Sequence, residues 1–238
     1  MAGKSTHDFP IHDIIEWDVL NWSQLIDYWL PVLVQLPVDS KVLAIGERNG
    51  GLSLWLALMG FDVVCTDITD VHSSAHQLHE KYNVAGKIQY KQFDVVNDDW
   101  GIQQFDIIIA KSVIGGLKST RGKSSTRSTE AQHKAMHNIH RLLKPGGYFF
   151  SAENLQGGIF TRLARKMRKR KKGWQHPTYQ ELLQLFSSFT LVQTKTFGIL
   201  PTLFSPKVVN RLMYGMNRYV LCFLPKGSKY IAYTIAQK

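Results

Sequence analysis

The stretch KVLAIGERNGGLSLWLALMGFDVVCTDIT, residues 41–69, decides the fold. Its first five residues form a short apolar run that is typical of a buried strand, and a glycine turn follows. Leucine and tryptophan then recur at helical spacing between Gly50 and Met59, and a second apolar run ends at Asp67. A strand, a helix and a second strand in this order predict a parallel βαβ unit.

The same rhythm continues along the chain and predicts a parallel sheet with right-handed crossovers. The run FDIIIA is continuously apolar, as expected for a strand that is buried on both faces. The sequence KPGG ends the helix before the fifth strand, because proline and glycine cannot continue it. Further strands are predicted at 87–93, 105–110, 148–153, 190–197 and 230–237, and further helices at 71–82, 129–143 and 178–188.

Length and composition indicate one ordinary globular domain. The chain has 238 residues, of which 44% are hydrophobic. A single α/β domain with elaborations is the usual outcome at this length. Cys65 and Cys222 lie too far apart to suggest a disulfide framework, and Cys65 is expected to be a small buried apolar residue. We see no signal peptide in the first residues, so we expect a cytoplasmic location.

The glycine turn does not match the two common nucleotide-binding fingerprints. A dinucleotide fold needs GxGxxG, but Glu47 and Arg48 follow Gly46, which argues against a nicotinamide-linked oxidoreductase. The segment GLKSTRGKSS, residues 116–125, resembles a triphosphate-binding loop, but its spacing is one residue too long. The turn therefore holds a different cofactor, if it holds one.

The pattern that fits is Gly46-x-x-x-Gly50, a helix, and an acid at the end of the next strand. Glycine lets the chain turn where a side chain would collide with a ligand. The helix that follows offers free amides to a carboxylate. Asp67 is placed to accept both hydroxyls of a ribose, and Asp94, after the third strand, to accept the amino group of adenine. The alternative for each acid alone is a cap or a turn residue.

Five segments carry a resemblance to a known family. They are VLAIGERNGG, VVCTDI, QFDVV, FDIIIAKSVIGGL and HRLLKPGGYFFSAEN. They resemble the successive motifs of the class I S-adenosylmethionine-dependent methyltransferases, over about residues 40–155 and the closing strands. The resemblance implies a Rossmann-like α/β fold, with a mostly parallel seven-stranded sheet and helices on both faces. Residues 1–40 would form an N-terminal helical extension to a methyltransferase domain at 41–238.

The resemblance also implies a set of residues that bind S-adenosylmethionine, namely Gly46, Glu47, Gly50, Asp67, Ile68, Asp94 and Val95. One departure from the family pattern matters. Such enzymes usually carry an acid two residues before the first glycine, where this chain has Ala44, and Arg48 replaces the glycine in the middle of the turn. Glu47 is placed to supply the missing charge from the loop.

The candidate catalytic residues follow the fourth and fifth strands, because ligands in open α/β sheets bind beyond the carboxyl ends of the strands. They are Lys111 and Ser112 after one strand, and Glu153 and Asn154 after the other. Glu153 is our first candidate for a general base or a group that orients the acceptor. The alternative for Glu153 is a helix cap, and Lys111 is better suited to anchor a loop or contact an anion.

Two sets of histidines repeat at helical spacing, His72, His76 and His79 on one helix, and His133, His137 and His140 on another. We predict no metal site, because neither set has a cysteine or an HExxH motif beside it. We expect partly exposed helix histidines instead. His176, before a later helix, is a further candidate for a substrate contact.

The charge of the chain is concentrated in one segment. Residues 162–172 hold eight lysines and arginines and no acid, and without them the formal net charge of +11 falls to +3. Apolar residues at helical spacing make residues 160–172 a candidate basic amphipathic helix. It would dock on its own domain, or bind an anionic membrane or a lipid-linked glycan at the inner membrane face. Nucleic acid is a weaker alternative, because no recognition motif accompanies the charge.

The function that these features predict is methyl transfer from S-adenosylmethionine. The resemblance extends to small bacterial methyltransferases associated with surface polysaccharide assembly, which implies an oxygen of a saccharide or a related metabolite as the acceptor. The alternative is a non-catalytic module of the same fold that binds an anionic membrane or nucleic acid through residues 160–172.

Overall fold

The computed structural model describes residues 8–117, 129–159, 161–163, 174–204 and 206–238. Most of the predicted basic helix at 160–172 lies outside the described residues. The triphosphate-like segment at 116–125 lies outside them too, apart from its first two residues. The interpretations that rest on these segments therefore stay predictions.

Seven strands form one sheet, which confirms the predicted fold. The strand order is β3-β2-β1-β4-β5-β7-β6. Strands β1 to β5 pair in parallel, and β7 is antiparallel to its neighbours β5 and β6. The strands are β1 (Val42–Ile45), β2 (Val63–Asp67), β3 (Ile88–Gln92), β4 (Phe105–Lys111), β5 (Leu143–Asn154), β6 (Leu191–Phe197) and β7 (Ile231–Gln237).

Helices cover both faces of the sheet, and among the described residues none is long and apolar enough to span a bilayer. The described α-helices are α1 (Ile11–Ile15), α2 (Val19–Trp22), α3 (Gln24–Leu33), α4 (Gly51–Leu58), α5 (His72–Lys81), α6 (Thr129–Leu142), α7 (Tyr179–Leu185) and α8 (Lys207–Gly215).

The alternation of side chains along each strand divides the hydrophobic core into two layers. The layer against α1 to α5 is rich in tryptophan, and Trp29 stacks on Trp55 with ring centroids 6.4 Å apart. The opposite layer, against α6 and α7, centres on Phe149 and Phe186, whose rings stack 5.7 Å apart. Cys65 is fully buried in the first layer, as predicted.

The N-terminal helices share the core of the sheet. Trp29 of α3 meets Phe150 of β5 edge to face at 5.8 Å, and Phe9 meets Trp55 of α4 at 6.1 Å. Helix α1 lies directly over the start of α4. The two approach so closely that a side chain at Gly51 would collide with the carbonyl oxygen of Ile14. The N-terminal segment therefore borders the edge of the sheet at which the parallel strands end.

Candidate active site

The turn after β1 contacts the turn after β4. Gly46 has φ +70°, and a Cβ atom there would lie 2.5 Å from a methyl group of Val113. Both the backbone conformation and the lack of space require glycine at this position. The first and the fourth strands thus end in two turns that touch at the centre of the carboxyl edge.

Gly50 begins α4 with φ +76°, and a buried histidine holds its carbonyl group. Nε2 of His79 lies 2.9 Å from the carbonyl oxygen of Gly50, while Nδ1 lies 2.7 Å from the hydroxyl of Tyr90. The prediction of a partly exposed histidine is wrong for His79, which is completely buried. Burial lowers the pKa of this imidazole, which favours the neutral ring.

Glu47 turns into the protein and caps α4. Its carboxylate accepts a hydrogen bond of 2.8 Å from the backbone N–H of Ser53, in the first turn of the helix. Burial raises the pKa of Glu47, and the nearby Lys111 opposes this shift. Ala44, where the family usually has an acid, is fully buried in the core. The carboxylate of Glu47 therefore lies at the N-terminus of α4, which is the helix end that we predict to face the cofactor.

Asp67 ends β2 and holds the neighbouring turn in place. One carboxylate oxygen accepts the backbone N–H of Arg48 at 3.1 Å, and the other accepts the N–H and hydroxyl of Thr69 at 3.1 Å. The next side chain, Ile68, is 45% exposed although it is apolar. An acid on the rim of a glycine turn beside an exposed apolar side chain fits a ribose and an adenine face.

Asp94 lies at the end of the neighbouring strand but is turned into its own loop. Its carboxylate accepts the backbone N–H of Val96 at 3.0 Å and the side-chain amide of Asn97 at 2.9 Å. Both Asp94 and Val95 are buried. The structure thus gives Asp94 the contacts of a turn residue, which was the alternative to a direct contact with adenine.

Lys111 ends β4 and contacts the N-terminal segment. Its ammonium group donates to the carbonyl oxygen of Ile15 at 2.8 Å and lies 3.9 Å from the ring centroid of Trp17. Burial lowers the pKa of this lysine to about 8, although Glu16 and Glu47 oppose the shift. These contacts are those of a loop anchor, and no motif in the sequence marks Trp17 as the partner of Lys111.

Glu153 is buried at the end of β5, where it holds the turn that follows β4. Its Oε1 accepts the backbone N–H groups of Val113 and Ile114, each at 2.9 Å, and Oε2 has no hydrogen-bond partner among the described residues. Burial raises the pKa of this carboxyl group to about 7. The next residue, Asn154, donates to the hydroxyl of Ser112 at 2.8 Å.

Residues 174–176, which follow the basic run, pack on the 3-10 turn Ile114–Gly116 that Glu153 holds. The backbone N–H of Gln175 donates to the carbonyl oxygen of Gly115 at 2.9 Å. A side chain at Gly116 would meet the ring of Trp174 at 2.8 Å. Trp174 stacks on His176 with centroids 6.2 Å apart. Sequence reasoning had found His176 but missed Trp174.

The described residues contain no group of three or more histidine, cysteine or acidic side chains that could hold a metal ion. The rings of His72 and His76 are tilted against each other with centroids 4.6 Å apart, and His72 meets the ring of Tyr90 edge to face at 4.9 Å. On α6, His140 meets the ring of Phe189 edge to face, whereas His133 and His137 are exposed.

Comparisons with known proteins agree with this architecture. A family model described as a methyltransferase domain matches residues 20–194, which is well over half of the chain. A solved S-adenosylmethionine-dependent methyltransferase from Methanosarcina mazei is 18% identical, with a TM-score of 0.60 over 87% of this chain and 97% of that chain. Phosphoethanolamine N-methyltransferase 2 of Haemonchus contortus, solved with phosphomonomethylethanolamine and S-adenosylhomocysteine, is 17% identical, with a TM-score of 0.63 over 91% and 52%.

Among curated proteins, a highly reducing polyketide synthase of Aspergillus aculeatus is 34% identical over 125 residues. The match covers 48% of this chain but 5% of that much longer protein, so it concerns a small part of the synthase. At their low identities, the two solved structures support the fold, while the family model covers most of the sheet and its carboxyl edge. The chain therefore belongs to the methyltransferase domain family.

Proposed function

We propose that the chain transfers the methyl group of S-adenosylmethionine to a hydroxyl oxygen of a saccharide or a related metabolite. The observation that carries this proposal is the pair of stacked rings, Trp174 and His176, on the turn Ile114–Gly116. Val113, the residue directly before that turn, also lies against Gly46 in the glycine turn after β1. The rings are thus separated from the cofactor turn by a single short loop.

The cofactor side of the site comprises the turn from Gly46 to Gly50 and the end of β2. Asp67 would accept the ribose hydroxyls, and Ile68 would cover one face of the adenine. Glu47 would supply the negative charge that Ala44 lacks and would attract the ammonium group of the methionine. S-adenosylmethionine supplies an electrophilic methyl group when bound, so the protein has to position an acceptor and exclude water. Asp94 and Val95 shape the loop beside the adenine.

The acceptor side of the site has the chemistry that a sugar requires. Trp174 is 49% exposed, although its ring is large and apolar. An exposed indole face suits the apolar face of a sugar ring, while polar groups around it select the hydroxyls. His176 is partly exposed beside it, and imidazole is the side chain that most often removes a proton during catalysis. We assign His176 as the base that takes the proton of the acceptor hydroxyl.

Glu153, Asn154 and Lys111 then act as positioning residues. Glu153 and Asn154 hold residues 112–114 by hydrogen bonds, so they fix the loop between the cofactor and the acceptor. Lys111 ties the end of β4 to the N-terminal segment through Ile15. Glu153 therefore takes the acceptor-orienting role rather than the role of a base.

The test is methyl transfer from isotope-labelled S-adenosylmethionine to glycans extracted from cells in which the gene has been deleted. We expect the wild-type chain to add one methyl mass to a glycan oxygen. His176→Ala should lower kcat by at least about 100-fold, the scale of a lost general base. The matched control is His133→Ala, since His133 is an exposed histidine on α6.

Two outcomes would contradict this proposal. One is a wild-type chain that binds the cofactor but labels a nitrogen or a carbon of another metabolite class. The other is a folded chain that binds neither S-adenosylmethionine nor its demethylated product, which would favour the non-catalytic alternative. Equal rates for His176→Ala and His133→Ala would remove His176 as the base.

A further inference from the structure

The carboxy-terminal part of the chain has an unusual charge distribution. After Glu181 the sequence contains no aspartate or glutamate, although the whole chain has 18 acids. The same part contains seven cations, which are Lys195, Lys207, Arg211, Arg218, Lys226, Lys229 and Lys238. This excess is independent of the basic run at 162–172.

The 206–224 segment, which contains Lys207, Arg211 and Arg218, is fixed to the fold by polar contacts. It comprises α8, the π-helical turn Met216–Val220 and the 3-10 turn Leu221–Phe223. Asn217 is buried, and its side-chain oxygen accepts the backbone N–H groups of Ile199 and Leu200, each at 3.0 Å. The inner side of the segment is therefore held by hydrogen bonds to the body of the protein.

The outer side of the segment carries large apolar side chains among its cations, whereas a surface helix usually turns such side chains towards the core. Phe223 is 87% exposed, Val208 75%, Tyr219 70% and Leu212 63%. Val208 and Leu212 lie one turn apart on α8, and Tyr219 and Phe223 follow in the π-helical and 3-10 turns. We call these four side chains the outer patch. Contiguous exposed apolar side chains of this size mark an interaction surface.

Cations border the outer patch. Lys207 and Arg211 are exposed, and each precedes an outer-patch residue by one position. Behind the segment lies an open cavity of about 520 Å³, whose lining includes Lys195, Lys226 and Lys229 but no acidic side chain among the described residues. Burial lowers the pKa of Lys229, and the charges of Lys226 and Lys195 add to this effect. The cavity thus gathers positive charge without a counter-charge in its lining.

We propose that the outer patch and the cations around it dock the enzyme onto an anionic phospholipid bilayer. Apolar side chains on one face and lysine or arginine beside them are what an interfacial helix presents to lipid. The outer patch enters the interface between headgroups and acyl chains, and the exposed Lys207 and Arg211 beside it receive headgroup phosphates. The attraction of the cations adds up along an anionic surface and acts within about 8 Å at physiological salt.

The charge distribution favours lipid over other occupants of this surface. A second copy of the chain would place two surfaces rich in lysine and arginine against each other, which repels. Nucleic acid would attract the cations, but its phosphate backbone gives no partner to the exposed valine, leucine and phenylalanine side chains. A bilayer accommodates both features at once.

The experiment is sedimentation of the full-length chain with vesicles of phosphatidylcholine, with and without phosphatidylglycerol. We expect binding to the anionic vesicles at low salt and at least tenfold weaker binding for the double variant Tyr219→Ser/Phe223→Ser. The pair Lys207→Gln/Arg211→Gln should weaken binding similarly at low salt and less at high salt. The matched control is Ile102→Ser, because Ile102 is 59% exposed and lies outside the segment.

The variants should keep the thermal midpoint and the affinity for S-adenosylmethionine of the wild type, which separates docking from folding and from the proposed function. Equal vesicle binding by wild type and the two double variants would overturn the proposal in favour of another segment, such as 160–172. Wild-type chain that ignores vesicles would also overturn it. So would a wild-type dimer that Tyr219→Ser/Phe223→Ser dissociates, or salt-sensitive binding to duplex DNA or RNA without vesicle binding.

Discussion

Helix α4 and the 206–224 segment are both rich in large apolar residues, but the protein places these residues in opposite ways. In α4 every residue from Gly51 to Ala57 is buried, because the helix lies between the sheet and the N-terminal helices. In α8 no residue is buried, and the buried side chain of the following turn is the polar Asn217. Large apolar residues thus form a core helix in one place and an exposed patch in the other.

The surroundings of a helix, rather than its composition, therefore decide which side of it faces inwards. Helix α4 follows β1 directly, so its connection to the sheet leaves it no exposed side. The 206–224 segment follows the edge strand β6 and finds backbone groups at Ile199 and Leu200 that need hydrogen-bond partners. A buried backbone N–H without a partner is costly, and Asn217 therefore takes the inner position.

The largest effect should come from the core helix. Trp55 is completely buried and stacks on Trp29. We expect Trp55→Ala to lower the free energy of unfolding by about 3–5 kcal/mol, because it removes a large ring and leaves a cavity. Urea unfolding followed by circular dichroism measures this change. A loss below about 1 kcal/mol would show that α4 is not the packed element that the comparison assumes.

A second effect concerns a buried charge rather than a buried ring. The pKa of Glu153 is raised from 4.5 to about 7 because burial penalises the ionised form. The proton therefore binds the folded state more tightly than the unfolded state. The stability contributed by Glu153 is complete below pH 4.5 and is lost as the pH rises through about 7, a change of the order of 3 kcal/mol.

The variant Glu153→Gln keeps an oxygen for the amides of Val113 and Ile114 but cannot ionise. We expect the unfolding free energy of the wild type to fall relative to this variant between pH 5 and pH 8. Urea unfolding of both proteins at several pH values gives this difference. Parallel pH profiles for wild type and Glu153→Gln would contradict the assignment of a buried, titrating carboxyl group.

Asn217 gives a smaller effect, and it tests the inner side of the 206–224 segment. Asn217→Ala removes the acceptor for two buried N–H groups, so we expect a loss of about 1–3 kcal/mol. The measurement is again urea unfolding, with Asn210→Ala as the control, because Asn210 lies in the same segment and its side chain hydrogen-bonds to the backbone of the exposed Phe204. Equal losses for the two variants would mean that Asn217 is no special anchor.

The smallest effect should come from the outer patch. Leu212→Ser and Phe223→Ser each replace an exposed side chain, so we expect the unfolding free energy to change by less than about 0.5 kcal/mol. Thermal unfolding and urea unfolding of each variant measure this change in the free energy of unfolding. A loss of 2 kcal/mol or more for Leu212→Ser would show that the outer patch packs against the protein itself, and the comparison with α4 would then fail.

Much of the fold could be predicted from the sequence because it depends on local patterns. The apolar runs, the glycine turn and the KPGG stop signal mark strands and helix ends directly, and the parallel order follows from the crossovers. The contacts of Glu153 and Lys111 could not be predicted, because they join residues 40 and 96 positions apart. Both residues lie at the carboxyl ends of strands, where catalytic residues are expected. Only the packing shows that Lys111 contacts Ile15 and that Glu153 binds the N–H groups of Val113 and Ile114.

His79 and Trp174 illustrate two further limits of sequence reasoning. The spacing of the histidines on α5 was recognised, but no pattern shows that the third one faces the carbonyl group of Gly50 and becomes buried. Trp174 follows a basic run and belongs to no helix or strand, so no periodicity marks it. Its contact with Gly116 arises from tertiary packing.

The central claim, a cofactor site formed by the Gly46 turn and the end of β2, is tested most directly by titration calorimetry. S-adenosylmethionine and S-adenosylhomocysteine would be titrated into wild type, Asp67→Ala and the control Asp39→Ala, an exposed acid outside the site. We predict binding by wild type and control, and a loss of about 1.5–3 kcal/mol, roughly 10- to 150-fold in Kd, for Asp67→Ala. Equal affinity of Asp67→Ala and wild type, or no binding of either ligand by a folded wild-type sample, would contradict the account.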